Sequence, residues 1–207
     1  MGKRAMGFQQ ALIQETARLI CEEQITDYRQ AKLKAAERLG IPARGALPEN
    51  AVIQAAVIEY QRLFGGRAWA EHLVALRRTA VQAMRLLAAF EPRLVGAVTT
   101  GATTESQVVR LHGFADKPEL LDVFLDQRGI PFESGERRYR YPDGQTAIIP
   151  TCEFTAGDIA VEMAVFPAGE QRRPPLSPHD GLPVKRLDLA AAERLAAEPV
   201  DWVGEGD

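Results

Sequence analysis

Around residue 90 the apolar residues of this 207-residue chain change from helical spacing to strand spacing. The junction is Phe90 to Asp116. Glu91-Pro92 stops the helical pattern, an apolar run from Leu94 to Val98 follows, and Gly96 and Gly101 bracket the end of that run. A second apolar run spans Val108 to Phe114. Glycine stands where a backbone turns sharply or approaches a ligand closely, so the junction predicts strand, tight glycine turn, strand.

Ahead of the junction the spacing predicts helices. Residues 8 to 24 carry an apolar stripe of Phe8, Leu12, Leu19 and Ile20. Asp27-Tyr28-Arg29-Gln30 has the form of a capping box and opens a second helix, stopped by Gly40 and Pro42. Its cations Arg29, Lys32, Lys34 and Arg38 alternate with Glu37, a mixed surface that fits either solvation or contact with nucleic acid. A third helix runs from Pro48, in its first turn, to Phe64, and Gly65-Gly66 ends it. A long helix from Trp69 to Phe90 follows. These breaks divide the chain into a helical region 1–66, an α/β domain 67–187, and a C-terminal helix and tail 188–207.

Beyond the junction the pattern is mostly β. Asp116-Lys117-Pro118-Glu119 opens a short helix closed by Gly129, with Asp116 as its expected N-cap. In Arg137-Arg138-Tyr139-Arg140-Tyr141, alternation puts Arg138 and Arg140 on one face and the tyrosines on the other. Such a surface can pair with phosphates and stack on bases, or it can be a solvated hairpin with half-buried tyrosines. The last strand sets Glu162 among Ala160, Ala164 and Phe166, a costly place for an acid unless it is solvated or paired, with Arg110 as a candidate partner. Residues Gly169 to Arg186 are rich in proline and hold Arg172, Arg173, Lys185 and Arg186. An ordered arm across the sheet and a mobile tail both fit that composition. Ser177, His179 and Asp180 are too close on one loop to face each other as a hydrolytic triad.

Composition narrows the function classes. A net charge of −3 gives no overall pull towards nucleic acid or an anionic membrane, so polyanion binding needs a local patch. Two cysteines, Cys21 and Cys152, and three histidines exclude a structural zinc site by count. No run of about 18 apolar residues exists, and none follows Lys3 and Arg4, so the expected setting is the cytoplasm with free thiols and no membrane partner.

Leu94-Val95-Gly96-Ala97-Val98-Thr99-Thr100-Gly101 resembles the glycine motif of the polymerase-beta-type nucleotidyltransferase superfamily, an apolar pair, Gly-Ser, three residues and Gly. The order of elements from Ala68 to Val165 follows the same scheme, and the overall pattern is similar to that of short proteobacterial nucleotidyltransferase-like proteins. The resemblance implies an α+β fold, an N-terminal helical layer packed on a small mixed-sheet α/β domain. It also implies a phosphate-holding turn at Gly96, Ala97 and Gly101, flanked by Gln107 and Arg110.

In that family the strand after the turn carries an Asp-x-Asp pair for two magnesium ions. Here the pair falls at Gln107 and Val109, or at Val108 and Arg110, and Ala97 replaces the serine. Two-metal phosphoryl transfer needs several oxygen anions, and only Glu162 matches a family carboxylate. The first expectation is therefore a bacterial pseudoenzyme of this type. It would bind a nucleotide, another phosphate-bearing ligand or RNA through Gly96, Ala97, Gly101, Gln107, Arg110, Arg138 and Arg140. One alternative is an active magnesium-dependent nucleotidyltransferase with unusual ligands, Glu162 with Glu105 or Asp116. The other is an interaction module whose N-terminal helices dock a partner protein over a vestigial cleft. A Mur-type ligase is not implied, since there is no Gly-x-x-x-x-Gly-Lys-Ser/Thr loop and the chain is too short for three domains.

Overall fold

The computed structural model describes residues 3–42, 47–105, 107–178 and 181–204. The fold is α+β, with helices first and a five-stranded mixed sheet after them. The chain forms two compact units. One is Met1–Glu71 with Gly101–Ser106 and Asp201–Asp207, and the other is His72–Thr100 with Gln107–Val200. This division departs from composition in two ways. The segment after Gly101 joins the helices, and the C-terminal helix joins the sheet, because its residues Ala192, Leu195 and Ala196 complete the core there.

In the first unit α1 (Lys3–Glu22), α2 (Tyr28–Arg38) and α3 (Asn50–Phe64) bury Ala17, Ile20, Tyr28, Ala31, Ile53 and Val57 against one another. Asp27 caps α2 as expected, accepting from the Arg29 and Gln30 N–H groups at 2.7 and 3.0 Å. Pro48 lies outside α3, which starts at Asn50, and its carbonyl accepts from the buried Lys32 ammonium at 2.9 Å. Lys34 and Arg38 pair with Glu23 just past the end of α1, and Arg38 also with Glu15 within it. Two of the four α2 cations are thereby neutralised by carboxylates.

The second unit begins within α4 (Gly66–Leu86), whose last turns tighten into a 3₁₀ turn at Ala88–Phe90. Its strands β1 (Arg93–Val95), β2 (Val109–Phe114), β3 (Phe132–Arg140), β4 (Thr146–Ala156) and β5 (Ile159–Phe166) lie in the order β1-β2-β5-β4-β3. Only β2 and β5 are parallel neighbours. Strand alternation divides the side chains between two faces. Leu94, Val109, Leu111, Val161, Met163 and Val165 face a core with Leu76, Ala80, Met84 and Leu87 of α4. Leu121 and Leu125 of α6 (Glu119–Asp126) and Ala192 of α7 (Leu189–Ala197) close that core. Asp116 does not cap α6; Pro118 occupies the cap position, and Asp116 is exposed.

The glycine junction holds more than a tight turn. Gly96 takes φ +79 and Gly101 φ +87, and between them a single helical turn, α5 (Ala97–Thr100), drops Val98 into the core. The Thr99 hydroxyl and N–H both donate to the Gly96 carbonyl, at 2.7 and 3.0 Å. A Cβ at Gly96 would meet nothing within 4 Å, so glycine is required there for its backbone angle and not for space. Gly96→Ala is accordingly expected to cost about 1–2 kcal/mol, the left-handed penalty alone. Urea denaturation checks this; a loss below a few tenths would mean that the turn relaxes at no cost.

Candidate functional site

The site is built on the sheet face turned away from α4, α6 and α7. Arg110, His112 and Phe114 of β2 share this face, because Val109 and Leu111 take the other one. Parallel pairing then sets Glu162 of β5 directly beside Arg110, Ala164 beside His112, and Phe166 beside Phe114. Antiparallel pairing brings Arg93 of β1 opposite His112. Tyr139 and Arg137 of β3 complete the face, packing on Phe166 and reaching Glu162 respectively.

Glu162 is therefore paired. One carboxylate oxygen accepts from Arg137 Nη2 at 2.5 Å, and the other lies 3.4 Å from Arg110 Nε. The carboxylate side chain is 12% exposed, against 37% and 38% for the two arginines, so it lies beneath the guanidiniums. The Arg110 contact is an ion pair without hydrogen-bond geometry, and Arg110 Nε is a buried donor left unsatisfied.

The described residues of the proline-rich segment form an arm across the same face. After Pro167 it makes a 3₁₀ turn at Ala168–Arg172, and the Leu176 N–H then donates to the Arg140 carbonyl at 2.6 Å. At its far end Leu187 exchanges two backbone hydrogen bonds with Leu94 of β1, at 2.8 and 2.9 Å. Between these anchors Arg186 inserts over the aromatic rings, its guanidinium carbon 4.9 Å from the Phe166 centroid and 5.0 Å from that of Phe114. Arg186 Nε donates to His112 Nδ1 at 3.1 Å, and Nη1 donates to the Glu170 and Gln171 carbonyls. Its Nη2 is buried without a partner.

Because a guanidinium can only donate, His112 Nδ1 is the acceptor, and the neutral imidazole carries its proton on Nε2. Burial, with Arg186 and Arg137 nearby, pushes its pKa down to about 3. Burial also pulls Arg186 below the usual guanidinium range. Tyr141 lies 2% exposed, donates its hydroxyl to Glu170, and carries the Arg173 guanidinium 4.2 Å over its ring.

The sequence-derived candidates separate on this frame. Arg110 and Glu162 come together, as the sequence suggested. Arg138 and Arg140 are exposed on the opposite face of β3, and Arg137 is the residue that reaches Glu162. Period-two alternation already placed Arg137 with Tyr139 and Tyr141; the arginine pair drew attention to the wrong parity. Gln107 donates to the adjacent Val108 carbonyl at 2.9 Å. Gly96 and Ala97 belong to the sheet unit and Gly101 to the helical unit. Arg186 was one of the four cations of the proline-rich segment that the sequence offered for a phosphate pocket, whereas His112 and Arg93 were missed, and the register of β1 and β2 reveals them. Of the Ser177, His179 and Asp180 group, His179 and Asp180 lie outside the described residues.

The donor set does not suit a two-magnesium centre. Both oxygens of Glu162 face guanidinium nitrogens, and the carboxylates that follow it in register, Glu153 and then Glu133, are exposed. Glu105 and Asp116 are exposed. Among the described residues no group of three or more His, Cys, Asp or Glu is placed to hold a metal ion. The two cysteines are free and buried, and desolvation pushes both thiols up to about 12, which removes their nucleophilic character. Among the described residues no helix is long and apolar enough to cross a membrane. A scan against protein-family models, a search of curated proteins and a search of solved structures each returned no match.

Proposed function

We propose that this chain is a diverged nucleotidyltransferase-like protein that binds a nucleotide or another phosphate-bearing ligand, RNA included, and does not transfer phosphoryl groups. One observation carries the reading. On a single sheet face three guanidiniums, Arg110, Arg137 and Arg186, gather around Glu162 and His112, with Arg93 opposite His112 in register, and Arg110 and Arg186 each keep a buried N–H donor without an acceptor. Unsatisfied buried donors on cations are costly, and an anion with several oxygens relieves that cost.

Binding then needs no metal. In EDTA, ATP or GTP is expected to raise the melting temperature, by about 1.4 kcal/mol of stabilisation at ten times the dissociation constant. A flat thermal-shift response across nucleotides, sugar nucleotides and short RNAs would count decisively against the reading. Magnesium-dependent incorporation of labelled nucleotide into an acceptor would overturn its non-catalytic part.

A second reading, docking of a partner protein on the N-terminal helices, is favoured by the last turn of α3. Phe64 there is 70% exposed, beside Leu63 at 40%, with its ring 4.8 Å from that of Tyr60.

A further inference from the structure

We infer that Glu162 is a built-in competitor for the anion this face takes, its carboxylate occupying the two guanidiniums, Arg110 and Arg137, that a phosphate group would bridge. The inference rests on the phosphate-binding reading of the same face. It deepens that reading by assigning Glu162 the part of an internal pseudo-ligand.

The geometry has three parts. The carboxylate lies beneath its partners, so an incoming anion meets the guanidiniums first. The pairing is lopsided. Arg137 is hydrogen-bonded at 2.5 Å, whereas Arg110 stands at 3.4 Å with its Nε unsatisfied. As placed here, the planar carboxylate satisfies Arg137 and not Arg110, while a tetrahedral phosphate offers oxygens in more directions. The charge is also short, since one carboxylate answers two guanidiniums and a dianion would match both.

The surroundings say from which side the ligand comes. Glu153 pairs with Glu162 in register, and Glu133 pairs with Glu153, so towards β4 and β3 the row is acidic. Towards β2 it is basic at Arg110 and then apolar at Val95 of β1, and the neighbouring row, His112 with Arg93 opposite it and Arg186 bonded to it, adds two further cations. An anion entering over β2 meets Arg110 and takes it from the Glu162 carboxylate. The competing carboxylate lowers apparent affinity to the fraction of time the guanidiniums are released. The site thus favours multivalent phosphates, which can outbid one carboxylate, over monoanions.

The test measures inorganic pyrophosphate binding in EDTA by calorimetry, in the full chain and its variants, with ATP and a short RNA as further probes. Glu162→Gln keeps the shape and removes the charge, and it is expected to bind pyrophosphate at least tenfold more tightly than wild type, about 1.4 kcal/mol. Adding Arg110→Ala to that variant should abolish the gain. If wild type binds and Glu162→Gln binds equally or more weakly, the competitor role is overturned while the phosphate-binding reading stands. If neither protein binds pyrophosphate, ATP or RNA, that reading fails and the inference with it. Should Glu162→Gln not fold, Glu162→Asp withdraws the carboxylate by one methylene. A severalfold gain is expected from it, and no gain overturns the role.

Discussion

Phe166→Ala is expected to lower the unfolding free energy by about 3–5 kcal/mol, the cost of emptying a fully buried aromatic site. Phe166 is 0% exposed, at the end of β5 in the centre of an aromatic group. Its ring centroid lies 4.6 Å from that of His112, 5.0 Å from Tyr139 and 6.2 Å from Phe114. It also forms part of the floor under Arg186. The substitution therefore removes apolar contacts and unseats the cation that holds the arm between its two backbone anchors. Urea denaturation gives the stability change, and limited proteolysis between residues 174 and 186 reports the arm. A loss below about 1 kcal/mol with an uncleaved arm would show that the arm holds by its backbone bonds alone.

Acid is expected to weaken the fold through His112. The side chain is 3% exposed, and its pKa falls from an ordinary 6.5 to about 3 in the folded protein. Above pH 6.5 the imidazole is neutral whether the chain is folded or not, and its contribution is fully present. As pH falls from 6.5 towards 3, the unfolded chain takes up a proton that the folded one refuses, so stability is lost by about 1.4 kcal/mol per pH unit. The refusal has named causes. Arg186 from the arm donates to Nδ1, Arg137 from β3 adds positive charge, and the register brings Arg93 of β1 opposite. Arg110 stands two residues away on the same strand, with its charge partly met by Glu162, and Tyr139 presents its ring edge-on at 5.5 Å.

His112→Gln has no such titration. Urea midpoints of both proteins between pH 7 and pH 4 should therefore converge, because the wild-type advantage shrinks with each unit of acid. Parallel curves would show that His112 is already protonable in the native fold. Carboxylates elsewhere titrate alike in both proteins and cancel in the difference.

The legibility of this molecule varied with the range of the interactions. The Asp27 cap, the glycine-bracketed turn and the alternation of β5 follow from residues within a few positions of one another, and they were readable. The start of α3 and the cap of α6 were misplaced, because proline and aspartate signals tolerate shifts of one or two residues that only packing settles. Arg138 and Arg140 looked the stronger pair only because alternation fixes which residues share a face without saying which face meets Glu162.

By itself the sequence determined the kind of chain this is. It is α+β, helices before strands, with a glycine-bracketed turn between β1 and β2 and one acid inside an apolar last strand. Those features depend on local backbone preference and on the period of the apolar residues. The sequence offered Arg110 as a partner for that acid, and tertiary structure decided the rest of its surroundings. The register of β2 against β5 put Arg110 beside Glu162, the fold of β3 brought Arg137 to it, and the arm carried Arg186 across 74 residues of sequence to His112. Ion pairs between strands distant in the chain have no short-range signature, because their partners are chosen by pairing register and by the burial that makes an unpaired charge too costly to keep.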